Sequence, residues 1–422
     1  GCALVQLPSG LTADNNKNGE AMSEFDDIRP YNDSEVPAVL ERLIADHEFL
    51  HLLLARKAPR LCKFLPWIFK PLARPFIQRS LHKLTADVHT VADFQSHMTV
   101  ALKDVLDRTT DGYGFGGLDN IEPSKAYLFM SNHRDIALDP AMVNLALIMS
   151  DLKTVRIAIG DNLLRKPYAS DLMRVNRSFI VKRSVTSRRD KLEALKTLSR
   201  YIRYSITSEQ TSCWIAQAEG RAKSGRDRTE TALLKMLALS KTKEQSFAQA
   251  IEEINLLPVS ISYEYDPCAA DKARALYAAQ QGIDYIKEEF EDLDTIVKGL
   301  VGQKGRIQVN FGDRIVGAFD DADDLAVEID RQIIGHYQLF PSNIIAWEMQ
   351  GNRDSETVAS LRAQWPDENW LEAQIQFDSH IGTIPGIHRQ IAIDSYAAPV
   401  DNQLALLSDL QLANSQPKTQ GS

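Results

Sequence analysis

Ala126-Tyr127-Leu128-Phe129-Met130-Ser131-Asn132-His133-Arg134-Asp135-Ile136-Ala137-Leu138-Asp139-Pro140 opens on an apolar run, passes through a polar, charged turn and leads into a second apolar run, Ala141 to Met149. The short run reads as a buried strand and the longer one as a helix. The polar side chains then stand at the carboxyl end of a strand, where open α/β sheets bind their ligands. His133 is the side chain there whose ordinary pKa lies near neutrality, and Asp135 and Asp139 supply carboxylates to orient it. On a regular helix, six steps of about 100° would put His133 and Asp139 on different faces, so a working pair requires His133 to stand in the loop before the helix. Asp139-Pro140 fits that arrangement, with Asp as N-cap and the helix beginning at Pro140. The plainer reading, a cap and a structural histidine, stands until other blocks are added.

Working outward, the pattern alternates. Strand-like segments at Ala126–Met130, Thr154–Ile159, Ser178–Lys182, Ser212–Ala218 and Leu257–Ser262 are separated by helical periods at 140–149, 162–173, 188–207 and 229–240. Helices near 269–298 and a last strand, Arg306–Phe311, complete an α/β domain with a largely parallel sheet. Pro258 places its strand at a sheet edge or makes it a strand start. The cluster Asp111-Gly112-Tyr113-Gly114-Phe115-Gly116-Gly117 precedes a strand instead of following one, so it reads as a linker and not as a phosphate loop.

Two further loops carry chemistry. Arg174, Arg177, Lys182 and Arg183 surround the strand at 178–182 and form a plausible anion site against a plain solvated surface. The run Glu219-Gly220-Arg221-Ala222-Lys223-Ser224-Gly225-Arg226 offers a carboxylate, a close-approach glycine and several cations after another strand.

With Gly160-Asp161-Asn162-Leu163, Phe179-Ile180-Val181-Lys182-Arg183 and Leu257-Pro258-Val259 through Tyr263-Glu264, these blocks resemble the glycerolipid acyltransferase family, in particular its bacterial glycerol-3-phosphate acyltransferases. The family's first block is Asn-His, four residues and Asp; Asn132-His133-Arg134 matches it and Asp139 comes one residue late, with Asp135 then in inserted sequence. The resemblance covers about residues 120–315. It implies an acyltransferase α/β domain with a largely parallel mixed sheet flanked by helices. It also implies His133 and Asp139 as the catalytic pair, Arg134, Lys182, Arg183 and Arg221 on the acceptor's phosphate, and Glu219 with Gly220 positioning the glycerol or the loop. The donor would be acyl-CoA or acyl-carrier protein and the acceptor glycerol 3-phosphate, or alternatively 1-acylglycerol 3-phosphate or another lysolipid. No metal or redox cofactor is implied.

The rest of the chain frames that domain. Its 422 residues, 44% hydrophobic and 25% charged, suit a globular protein of two or three domains, and the net charge of −9 argues against nucleic acid as a partner. Cys2, Cys62, Cys213 and Cys268 show no paired spacing, so neither a zinc site nor a disulfide framework is indicated. Residues 1–34 read as loosely ordered, and a helical region over 35–117 begins with a period from Val36 to Leu54. Between Glu48 and Asp87 no acidic residue occurs, while eight cations from Arg56 to Lys83 alternate with Phe64, Trp67, Phe69, Phe76 and other apolar residues. Such a segment suits an anionic membrane surface, although Pro59, Pro66, Pro71 and Pro75 argue against one long helix. The acyltransferase domain spans 118–316, a helical extension 317–410 and a disordered tail 411–422. With no signal pattern and no apolar run near the roughly 18 to 20 residues a bilayer requires, the sequence points to a cytoplasmic protein, peripheral on the inner face of the membrane. A serine hydrolase is disfavoured by the lack of a G-x-S-x-G elbow, and a non-catalytic phosphate- or lipid-binding protein on the same scaffold stays open.

Overall fold

The structure, a computed structural model, describes residues 24–57, 66–283, 291–351 and 354–415, with side chains for 24–54, 73–283, 291–351 and 354–409. The apolar and basic residues at 60–65 therefore lie outside the described residues, as do residues 1–23 and 416–422. Seven strands are Gly112–Gly116 (β1), Leu128–Ser131 (β2), Arg156–Gly160 (β3), Ser178–Val181 (β4), Cys213–Ala216 (β5), Leu256–Tyr263 (β6) and Arg306–Phe311 (β7). They run in the order β1-β7-β6-β2-β5-β3-β4, parallel at each assigned pair except the antiparallel β6–β7.

The chain divides into two compact units, Gly1–Ser96 with Ala158–Tyr201, and His97–Ile157 with Ile202–Ser422. In the larger unit β2 is buried along its whole length, as a continuous apolar run in a central strand demands. β7 instead alternates, burying Ile307, Val309 and Phe311 beneath Gln308 and Asn310. These residues join Tyr127, Phe129, Leu257, Val259, Ile261 and the inner face of helix Leu138–Met149 in one core. Each fully buried Leu, Ile or Phe there contributes about 1.5–3 kcal/mol. A second core in the same unit packs helix Ala269–Gln280 against the carboxyl-terminal helices through Ala273, Ile344, Trp347, Phe377 and Ala397.

Several expectations give way. The glycine cluster is no linker: Gly112–Gly116 is β1, in parallel register with Arg306–Asn310. A Cβ at Gly114 would stand 2.4 Å from Gln308 Oε1, and one at Gly116 2.5 Å from Asn310 Oδ1, so the glycines leave room for the amide ends of the polar face of β7. Pro258 does not mark an edge, because β6 lies between β2 and β7. Its carbonyl accepts from Gly312 N–H on the β7 side, beyond the last paired residue Phe311, so the missing N–H costs the ladder nothing. Helix Gly386–Ser415 runs through 411–415, into the segment read as a tail.

The smaller unit revises the amino-terminal reading. Residues 24–34 are ordered: Phe25 and Ile28 are buried, and the Phe25 ring meets Tyr201 edge-on at 5.2 Å. The period from Val36 resolves into two helices, Val36–Ala45 and His47–Lys57, because Asp46 turns extended and its carboxylate caps Phe49 N–H. Helix Pro66–Leu84 continues through Pro71 and Pro75, which disrupt helical hydrogen bonding without ending the helix.

Candidate active site

The loop after β2 begins with an exchange of backbone for side chain. Ser131 is the last residue of β2 in register with β6, opposite Val259. Asn132 then extends the ladder with its amide, donating to Ile261 O at 2.9 Å and accepting from Ile261 N–H at 2.8 Å. The main chain is thereby released from strand geometry one residue before His133. The His133 carbonyl accepts from Ala222 N–H at 2.8 Å, which ties this loop to the one after β5.

His133 Nδ1 lies 2.8 Å from Asp139 Oδ2. The same oxygen accepts from the backbone N–H groups of Arg134 at 2.6 Å and Asp135 at 3.0 Å, and Oδ1 accepts from the Tyr263 hydroxyl at 2.8 Å. Asp139 is fully buried, and four donors satisfy its two oxygens. With Nδ1 directed at the carboxylate, Nε2 is the ring atom left for chemistry. The imidazole, 16% exposed, meets Trp214 edge-on at 5.7 Å.

Asp135 does different work. Its Oδ1 accepts from Ala137 N–H at 2.9 Å and Leu138 N–H at 2.8 Å, so it holds the start of helix Leu138–Met149. The helix therefore begins two residues before Pro140, and Asp139 sits inside its first turn instead of capping it. Burial and then the nearby Asp139 charge push the Asp135 carboxyl above the ordinary carboxylate range.

The loop after β5 brings Glu219, Gly220 and Arg221 to the same unit. Gly220 has φ +77°, a left-handed conformation that a side chain would strain. Glu219 is exposed, and Arg221 is half-buried with its Nη1 lacking a hydrogen-bond partner among the described residues. Arg134 is otherwise committed: its guanidinium pairs with buried Asp227 at 2.6 Å and lies 5.4 Å from the Tyr337 ring. Burial opposes its charge, yet Asp227, with Tyr337, Asp266 and Asp139, leaves its pKa raised. The Arg134 carbonyl accepts from Lys272 Nζ at 2.7 Å, and Lys272 in turn pairs with Asp266.

Lys182 and Arg183 belong to the smaller unit, on its exposed surface. Lys182 pairs with Asp27, while the backbone N–H groups of Arg183 and Ser184 both donate to Asp161 at 3.1 Å. Sequence reasoning assigned no role to Tyr263, Asn132, Trp214, Asp227 or Lys272, although the Asn-His of the first block and the Tyr-Glu of the fourth contain two of them.

Residues 114–262 match the family model described as acyltransferase. Among solved structures, the chain is similar to the 1-acyl-sn-glycerophosphate (LPA) acyltransferase from Thermotoga maritima, at 12% identity and a TM-score of 0.31, over 56% of this chain and 78% of that one. The search of curated proteins returned no match. The stretch that matches this family model contains His133, Asp139 and Arg221 and lies largely within the region over which the four sequence blocks resemble acyltransferases.

Proposed function

We propose that the protein moves a fatty acyl group from a thioester donor, acyl-CoA or acyl-carrier protein, to a hydroxyl of glycerol 3-phosphate in phospholipid synthesis. The observation that carries this reading is the imidazole held through Nδ1 by a buried, four-fold bonded carboxylate, beside a loop whose Arg221 keeps a donor unpaired. Nε2 takes the hydroxyl proton as the oxygen attacks the thioester carbonyl, Asp139 stabilises the imidazolium, and the proton passes to the thiolate as the C–S bond breaks. A general base so placed supplies about 10²- to 10⁴-fold in rate. Arg221 binds the acceptor's phosphate, and Glu219 positions the glycerol. Arg134, held by Asp227, shapes the loop more than it binds substrate.

The segment 73–84 supports residence on an anionic membrane surface. Phe76 is 83% exposed, and Leu84, Arg79 and Lys83 are exposed near it. Among the described residues no helix is long and apolar enough to cross a membrane. A non-catalytic binder on this scaffold would have no need of a carboxylate within hydrogen-bonding distance of the histidine, and the 2.8 Å pair favours the enzyme.

The test supplies acyl-CoA and acyl-carrier protein with glycerol 3-phosphate, 1-acylglycerol 3-phosphate or another lysolipid in turn, and identifies the acylated product. Ester formation on glycerol 3-phosphate is the expected result. Ester formed only on a lysolipid would reassign the acceptor, and tight acceptor binding with no ester from any pair would establish the binder.

A further inference from the structure

The Tyr263 hydroxyl sits at the end of β6, 124 residues from the carboxylate it touches. Asp139 receives its donors unevenly. Oδ2 accepts from His133 and from two backbone N–H groups, whereas Oδ1 accepts from Tyr263. Rotation about the Cβ–Cγ bond swings both oxygens together, so the Tyr263 donor on Oδ1, opposite the three on Oδ2, holds the carboxylate plane from its second side. Tyr263 is itself buried and anchored by the β6–β7 ladder, in register with Ile307, so its hydroxyl is a fixed post and not a mobile surface group. Removing the hydroxyl leaves Oδ1 buried without this donor.

We infer that Tyr263 is a positioning residue of the acyl transfer: it holds Asp139 Oδ1, and thereby fixes the carboxylate plane that sets the orientation and tautomer of His133. The inference rests on the acyltransferase reading above, in which His133 is the base. Tyr263 acts only through Asp139 and exchanges no proton with substrate. The covalent steps are unchanged by it, and the quantity it governs is the fraction of time that His133 Nε2 points correctly.

Tyr263→Phe keeps the ring and deletes the hydroxyl. Turnover is expected to fall about 10- to 100-fold, the size of one hydrogen bond to a charged group, with the KM for the acceptor changed less than about twofold. In an Asp139→Asn background the same substitution is expected to add little, because the two residues act as one unit. A proton spectrum of the full chain gives a readout free of turnover. The downfield resonance of the His133 Nδ1–H bonded to Asp139 should shift or broaden in Tyr263→Phe. Equal fold losses in both backgrounds, or an unmoved resonance with wild-type turnover, would overturn the inference. Full activity in His133→Ala would instead sink the acyltransferase mechanism itself, and the two failures are thereby told apart.

Discussion

Two loops follow strands and carry the charges that attract attention in the sequence, and they are built in opposite ways. The loop after β2 is buried, and each charged side chain in it has a committed partner: Asp139 holds His133, Arg134 holds Asp227 and Asp135 holds the helix start. The loop after β4 is exposed, and its cations face solvent and acidic neighbours within the smaller unit. A catalytic group needs orientation fixed in advance, which only burial and full hydrogen bonding deliver, whereas a cation that captures an anionic group gains from remaining wet and adjustable. On the proposed function, the buried loop is the one organised for chemistry, and the exposed loop lacks that organisation.

The largest test of that division is Asp139→Asn. Turnover should fall by about 10³-fold or more, because a neutral amide cannot stabilise the imidazolium that forms on His133. A loss under tenfold would show that the buried loop is not organised for catalysis. Arg134→Met comes next. It strands buried Asp227, so thermal or denaturant unfolding should record a loss of about 3–5 kcal/mol. A variant as stable as the parent would mean that the pair does not hold the loop.

Asp135→Asn sharpens the contrast between the two neighbouring carboxylates. Loss of the cap in Asp135→Ala should cost about 0.5–2 kcal/mol with turnover retained within several-fold, whereas Asp135→Asn keeps the accepting oxygen and removes only the titratable group. Since the folded state holds the Asp135 carboxyl up, it binds a proton more tightly than the unfolded chain does. Its contribution to stability is full below the unfolded carboxylate pKa of about 4 and is lost as pH rises through the folded value. The parent should therefore lose stability relative to Asp135→Asn across that window, as pH-dependent unfolding would record. Lys182→Ala and Arg183→Ala are expected to do least. Turnover is unchanged, and stability shifts by less than about 1 kcal/mol, as for exposed ion pairs. A rise in acceptor KM at unchanged turnover would assign them to acceptor binding, and an unchanged KM would remove them from it.

Much of the architecture was legible because hydrophobic pattern reports burial directly. The unbroken apolar run of β2 and the alternation of β7 each mark a strand, and β7 has the bounds its pattern gave. What stayed hidden depends on partners far away in the chain. β1 looks like a linker until β7, almost two hundred residues on, supplies its partner and lays Gln308 and Asn310 over its glycines. Pro258 looks like an edge residue until the end of β7 shows that no bond is lost there. Helix boundaries failed where a side chain, Asp46 or Asp135, captured backbone donors by a local route that competes with the simple cap pattern. For the site, residue types and order singled out His133, both carboxylates and Arg221 as candidates. Spacing alone could not choose between the carboxylates, because that choice depends on three-dimensional loop geometry. The Asp139–Tyr263 and Arg134–Asp227 pairings join separate strand ends, and local sequence carries no record of them.

The central claim is that His133, oriented by Asp139, is the base of an acyl transfer. The most direct measurement is thiol release from acyl-CoA and acyl-carrier protein with and without glycerol 3-phosphate, in the parent and in His133→Ala. Release that depends on the acceptor in the parent and falls about 10³-fold or more in His133→Ala, with folding intact by circular dichroism, is the predicted result. Acceptor-dependent release undiminished in the variant would contradict it.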